Sequence, residues 1–466
     1  KSPMSDHQRL MPAPSLFDAE PREGFKTTEL GPLPEDWRVV KIGQIFEIQQ
    51  GKSLSPRSRT GPRKRPFLRT SNVLWGRLDL TSVDQMHFEQ SEEERLSLKP
   101  GDLLICEGGD IGRTAIWEGK LPLCLYQNHI HRLRAVRNDI YPRFYMYWMQ
   151  AAWVLLKLYG GAGNRTTIPN LSQSRLASFL VPLPSLPEQR AIAHVLRTVQ
   201  QANEATDRVI TALRELKKSL MRHLFTYGPV PIDQADAVEL KETEIGPIPA
   251  HWQVVKLGEI LKLRRGTVLP FDLPSSRYVG LEHIDPGQIR ILRFGYASGT
   301  RSAKAVFEEG DILYGKLRPY LDKSGVAEWK GVCSTDILVL IPQSNVYSNF
   351  VGYLMHTHYV VQYAIATTTG VNHPRTSWKA MSNVLIPLPP LPEQQEIARM
   401  LRAVDCKIEA EERRKDALEA LFKTLLHDLM TARRRLPPEF VARFLEPSRG
   451  ATGLSSVRDQ RAGDTP

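Results

Sequence analysis

The sequence predicts a mixed α/β protein in which one architectural unit is written twice, each copy closing on a long helix. Three observations predict it: motifs repeated in fixed order, short β-branched runs bounded by turn residues, and two proline-led helical stretches. The opening Thr28-Glu29-Leu30-Gly31-Pro32-Leu33-Pro34-Glu35-Asp36-Trp37 returns 215 residues later, from Thr243 to Trp252, and 12 of the 24 positions from Thr28 to Gly51 are identical in the second copy. Pro182-Leu183-Pro184-Ser185-Leu186-Pro187-Glu188-Gln189 returns as Pro387-Leu388-Pro389-Pro390-Leu391-Pro392-Glu393-Gln394. Gly101-Asp102-Leu103-Leu104 against Gly310-Asp311-Ile312-Leu313, and Pro169 against Pro374, keep the order between them. Residues 52–95 and 267–305 hardly match, so the frame is shared and the filling differs.

Within the globular parts, Val39–Ile42, Leu103–Cys106 and Ile337–Ile341 read as strands between Gly, Pro and Asp. Tyr141–Leu158 and Tyr347–Ala366 read as helices. Pro187 and Pro392 sit where a first-turn proline is tolerated, and Ser185 with Glu188 has capping-box spacing, which Pro390 removes from the second copy. No Pro or Gly then interrupts before Gly228 or Pro437. Ile192, Val199, Thr206, Leu213 and Leu220 form one heptad column, with Val195, Ala202, Val209 and Leu216 three later. In the second helix Ile397, Val404, Leu418 and Leu425 with Met400 and Leu421 hold the seam, which breaks at Glu411-Glu412-Arg413-Arg414-Lys415. Each helix would be about 60 Å long. Two matched helices imply an antiparallel pair, a pseudo-two-fold arrangement and a rigid spacer between two globular parts. The expected borders are 1–25 for an added, disordered N-terminus, 26–184 for the first domain and 185–226 for its helix. A linker at 227–242 leads to the second domain at 243–389, its helix at 390–435, and a disordered tail at 436–466.

Composition narrows the function. Apolar residues make up 41% and charged residues 24%, which is ordinary for a folded chain. The longest apolar stretch, Met146 to Leu158, contains Gln150 and Lys157 and is too short to span a bilayer. No secretory signal opens the sequence, and the four scattered cysteines suit reduced thiols in a cytoplasm rather than disulfides or zinc. The sequence carries no recognisable catalytic motif. Gly310 to Lys316 has phosphate-loop spacing, but Leu317 replaces the magnesium-binding hydroxyl and Arg318-Pro319 would stop the required helix; a strand leading into a basic turn fits better. No methyltransferase or dinucleotide motif is present. His129 and His131 alternate in a strand-like run, one facing the core and one solvent. Trp37 and Trp252 read as core anchors rather than base-stacking rings.

A net charge of +11 suits a polyanionic partner. Lys52, Arg57, Arg59, Arg63, Lys64, Arg65 and Arg69 place seven positive charges in eighteen residues with no acid among them. Gly51, Pro56, Gly61 and Pro62 predict a loop able to follow a DNA backbone. In the second copy the corresponding candidates are Arg264, Arg265, Lys316 and Arg318, with Lys262, Lys323 and Arg301 more scattered. A solvated basic loop is the bland alternative.

The Gly-Pro-x-Pro-x-x-Trp opening, the Gly-Asp-Ile-Leu-x-x-Lys-x-Arg-Pro-Tyr run from Gly310 to Tyr320, and the Pro-Leu-Pro-x-Leu-Pro-Glu-Gln helix entry resemble the specificity subunit of Type I restriction–modification systems. The resemblance covers about residues 28–435. It implies two target-recognition domains reading the halves of a split double-stranded DNA sequence, on helices that set the spacing and dock partners. Two modification subunits would bind S-adenosylmethionine and methylate adenine, and restriction subunits would add ATP- and Mg-dependent cleavage, leaving this chain without catalytic residue, cofactor or metal. The first copy keeps only the start of the Lys-x-Arg-Pro-Tyr run. Alternatives are a subunit serving one fused partner, a self-sufficient methyltransferase or nuclease, and a coiled-coil scaffold that binds protein.

Overall fold

The computed structural model describes residues 23–159 and 170–445. Most of the N-terminus expected to be disordered, and the tail from 446 onward, lie outside these residues. The stretch 436–445, read as disordered, instead carries the short helix Pro438–Ala442, with the rings of Phe440 and Phe444 against His194. The described residues divide into two compact units, the first made of those up to 205 with 416–445 and the second of 206–415.

Each unit is built on an antiparallel four-stranded sheet lying between two cores. In the first unit the order is Thr114–Ile116, Leu103–Cys106, Ile130–Ala135, Phe46–Gln50. In the second it is Ser324–Val326, Ile312–Gly315, Ile337–Pro342, Leu261–Leu263. Successive side chains on a strand face opposite ways, so a wholly apolar run between two layers feeds both. Leu103 and Ile105 join the core that contains the helices, while Leu104 and Cys106 join a second core. Ile312 and Tyr314 divide from Leu313 in the same way.

The second core lies under a second sheet. There Leu125–Tyr126 runs parallel to Lys64–Leu68, which pairs with Asp84–His87; in the other unit Gly331–Cys333 runs parallel to Arg277–Val279, which pairs with Gly295–Tyr296. The second unit adds Lys304–Phe307 and Thr267–Val268. The stretches that do not match between copies contribute most of this sheet, so the divergence in sequence is concentrated in one layer.

The repeated motifs lock the frame. The buried Trp37 indole donates to Glu188 at 3.0 Å, and Trp252 donates to Glu393 at 2.8 Å, so the opening motif holds the helix-entry motif. Gln189 accepts from the Tyr141 amide and donates to the Pro184 carbonyl; Gln394 does the same for Tyr347 and Pro389. Because Glu188 is committed to Trp37, only half of the expected capping box forms, Ser185 Oγ accepting from the Glu188 amide at 3.4 Å. The helix expected over Tyr347–Ala366 is two, Ser348–Leu354 and His358–Ala366. Between them Thr357 is extended and returns its hydroxyl to the Leu354 carbonyl.

The long helices span Leu186–Tyr227 and Leu391–Met430. In the second unit they run antiparallel, with Asp207 on Lys415 and Lys217 on Asp405. In the first unit Ile192 and Leu196 share a core with Leu426 and Leu429. The first heptad column is placed as expected, but its companion lies four residues on, not three. Leu196, Ile210, Lys217 and Leu224 are buried, whereas Val209 and Leu216 are 41% and 52% exposed. Lys217 hid the true column from a count of apolar residues. The second helix repeats the correction, with Leu401, Ile408 and Leu429 buried and Leu421 46% exposed.

Candidate nucleic-acid interface

The basic segment of the first unit is not the loop its glycines and prolines suggested. Ser55 caps a short helix, Pro56–Thr60, and Lys64–Leu68 is a strand. The glycines serve close approach instead: a Cβ on Gly51 would lie 2.3 Å from the Gln127 carbonyl oxygen, and one on Gly61 would lie 2.3 Å from the His87 ring.

Acids from the adjoining strand and helix meet these cations. Arg57 pairs with Glu89 at 2.7 Å, Arg69 with Asp84 at 2.6 Å and Lys52 with Glu92. Arg63 and Arg65 share Glu93 at 3.0 and 2.8 Å. The Arg65 hydrogen bond, joined by Arg63, holds the Glu93 carboxyl below its ordinary value against the opposing effect of desolvation. Lys64 caps the Arg59 carbonyl. Arg57, Arg59, Lys64 and Arg69 remain exposed; Lys52, Arg63 and Arg65 are half-buried. The run is acid-free along the chain but not in space.

In the second unit Ile312–Gly315 is a strand that leads into the basic turn, as expected. Lys316 and Arg318 are stitched there to the loop 369–376, which sequence reading did not single out. The Thr376 amide donates to the Lys316 carbonyl and the Arg318 amide to the Pro374 carbonyl, while Leu317 and Thr369 both bridge to Arg375. Arg318 and Asp322 take left-handed backbone, with φ of 52° and 50°. Such conformations cost on the order of 1–3 kcal/mol each and persist where surroundings over-determine them. The ledge exposes Arg318, Tyr320 and Val371, while Arg375 is held by Asp336 at 3.0 Å. The only sequence signals for it were the Lys-x-Arg-Pro-Tyr run and the echo of Pro169 in Pro374.

Other candidates are placed differently. Arg264 spends two N–H groups on buried Asp311, at 2.6 and 2.9 Å, as Arg134 does on Asp102 at 2.8 and 2.7 Å. Asp311 also accepts from the Glu308 amide and Asp102 from that of Lys99, so the repeated Gly-Asp motif is a frame device. Arg265 beside Arg264 is exposed. Opposite Lys316 in the first unit stands Glu107, 7% exposed and bonded by Gln50 at 2.7 Å: the same frame with opposite charge. His131 is buried, with Nε2 2.7 Å from the Leu171 carbonyl oxygen, and His129 is exposed. One does face the core and one solvent, but because His129 lies in the turn ahead of the strand Ile130–Ala135, since two strand positions that far apart would share a face. Among the described residues no cluster of His, Cys, Asp and Glu could hold a metal ion. No helix among them is long and apolar enough to cross a membrane.

Comparison with known proteins gives one consistent result. The family described as "Type I restriction modification DNA specificity domain" matches residues 34–215 and again 249–420. The chain is 23% identical over 388 residues to the type I restriction enzyme EcoDI specificity subunit of Escherichia coli, covering 79% of this chain and 81% of that one. It is 23% identical over 436 residues to the MjaVIII specificity subunit of Methanocaldococcus jannaschii, covering 89% and 96%. Its fold is similar to the crystal structure of the Type-I restriction-modification system S subunit from M. genitalium, with a TM-score of 0.55 and 16% identity over 84% of this chain and 96% of that one.

Proposed function

The chain belongs to the Type I restriction modification DNA specificity domain family, and on that premise we propose that its two domains read the two halves of a split, asymmetric duplex target. The observation that carries this reading is the division of each unit into a frame whose sequence repeats and a second sheet whose strands pair alike but whose sequence does not repeat. A doubled frame with unlike surfaces suits a target whose halves differ.

The chain is a specificity subunit and supplies recognition. In this proposal two modification subunits bring S-adenosylmethionine and adenine methylation, and restriction subunits bring ATP- and Mg-dependent cleavage, in the cytoplasm where the DNA lies. The recognition domains are taken as 26–184 and 243–389, with 185–226 and 390–435 as the helical spacer. The exposed cations Arg57, Arg59, Lys64 and Arg69, with Arg318 and Lys316 on the second unit's ledge, are assigned to phosphates or base edges. Lys52, Arg63 and Arg65 must exchange their carboxylates to join them.

Footprinting of the partner-assembled complex tests the reading. Two short protected tracts separated by an unread gap are expected, and one continuous tract would sink it. Replacing Arg57, Arg59, Arg63 and Arg65 by Ala should weaken binding and flatten its salt dependence, since each phosphate contact contributes about 0.9 to the slope. Unchanged affinity would remove that surface from the interface.

A further inference from the structure

Building on the DNA-reading assignment, we infer that Arg277 is a base-reading residue of the second domain, held by two aromatic rings to take a guanine edge in the major groove. Arg277 opens the strand Arg277–Val279 of the divergent sheet and is exposed. Its guanidinium carbon lies 4.7 Å from the ring centre of Phe294 and 5.1 Å from that of Trp329, and those two rings meet edge to face at 5.5 Å. No ion pair joins Arg277 to a carboxylate among the described residues, whereas Arg264, Arg290, Arg293 and Arg375 of the same unit each hold one. Aromatic faces bind the plane of a guanidinium and leave its edge N–H groups unspent. That edge is the fork that matches guanine O6 and N7.

Position in the fold favours DNA over a protein partner. The Gln127 amide donates to the Leu68 carbonyl as the Ser334 amide donates to that of Val279, which aligns Val279 with Leu68. Counting back, Arg277 stands at the place of Pro66, two positions from the exposed Lys64 and so on the same face of the first unit's basic strand. At this strand end the first unit ties its guanidinium groups to Glu93, and the second orders one with rings instead. The cluster also exposes Phe294 and Tyr296, whose rings touch at 5.9 Å, so a docked protein is the competing outcome.

The test is target selection from randomised duplexes by the partner-assembled complex, comparing the native chain with Arg277→Ala and Arg277→Lys. Arg277→Ala should relax preference at one base pair of one half-site by about 5- to 150-fold, with the other half-site unchanged and the salt slope altered by less than about one. Arg277→Lys keeps the charge without the fork and should relax the same position. An equal loss on every sequence, with the slope reduced by about one, would make Arg277 a phosphate contact and overturn the inference. Lost assembly with partner subunits would also overturn it, in favour of protein docking. If the native complex selects no split target, the DNA-reading assignment itself fails; if it does and both variants select it unchanged, only the role of Arg277 fails.

Discussion

Lys217 of the first long helix and Asp405 of the second meet at 2.7 Å with side chains only 9% and 2% exposed. The joint is shared with the domain they carry: Tyr353 donates to Asp405 at 2.7 Å, and Lys217 reaches the Gly287 carbonyl at 3.0 Å. Burial, reinforced by Asp405, pushes the Tyr353 hydroxyl far above its ordinary value. The repeat builds the same joint without an ion pair. Gln200 accepts from Tyr147 at 2.8 Å and donates to the Gly76 carbonyl at 3.4 Å, and Phe422 packs on the Tyr147 ring at 6.0 Å.

A buried ion pair loses more from halving than from removal, because one uncompensated charge is left in the interior. Lys217→Ala or Asp405→Ala alone should each cost about 3–5 kcal/mol. Lys217→Phe with Asp405→Gln, the first unit's own choice, should cost under about 1 kcal/mol or stabilise. Denaturant midpoints in a double-mutant cycle read the difference; additive losses would mean the pair does not act as one.

The corrected seam makes a contrasting pair. Leu224 is fully buried, so Leu224→Ala should cost about 2–5 kcal/mol. Leu216→Lys, on the exposed side, should shift stability by no more than about 0.5 kcal/mol. Thermal melts of the two variants decide it, and a large loss at Leu216 would restore the column three residues on.

Glu93 restrains two arginines of the basic surface. Glu93→Gln should tighten binding to non-target duplex at low salt and steepen its salt dependence, since Arg63 and Arg65 become available to phosphates. Fluorescence titration across a salt series measures this, and an unchanged slope would show that neither arginine faces DNA.

Burial raises the thiols of Cys106 to about 11 and of Cys124 and Cys333 to about 12, while Cys406 is exposed. A disulfide-exchange reagent at pH 8 should therefore modify one thiol quickly in the folded chain and the other three only on unfolding. The linkage sign follows: the folded state holds these protons more tightly, so stability should fall as pH rises past the ordinary thiol value. Rapid reaction of two or more thiols in the native chain would contradict the burial.

The duplication, its order of motifs, the strand Leu103–Cys106 and the two long helices were all legible in sequence. Each is specified by local means: periodicity, turn residues and recurrence of the same words. The frame residues could be seen to repeat, but not why. Trp37 meets Glu188 across 151 residues, and only the fold brings that indole to its carboxylate. The same limit governed charge. The run from Lys52 to Arg69 looked acid-free because Asp84, Glu89, Glu92 and Glu93 lie further along the chain, and Lys217 did not enter the apolar columns because its partner, Asp405, lies on the other helix. Arg277 drew no notice, since Phe294 and Trp329 reach it only through the sheet. Sequence determined which segments form and what recurs; the tertiary structure alone decided which charges are spent, because electrostatic and aromatic contacts depend on distance in space rather than along the chain.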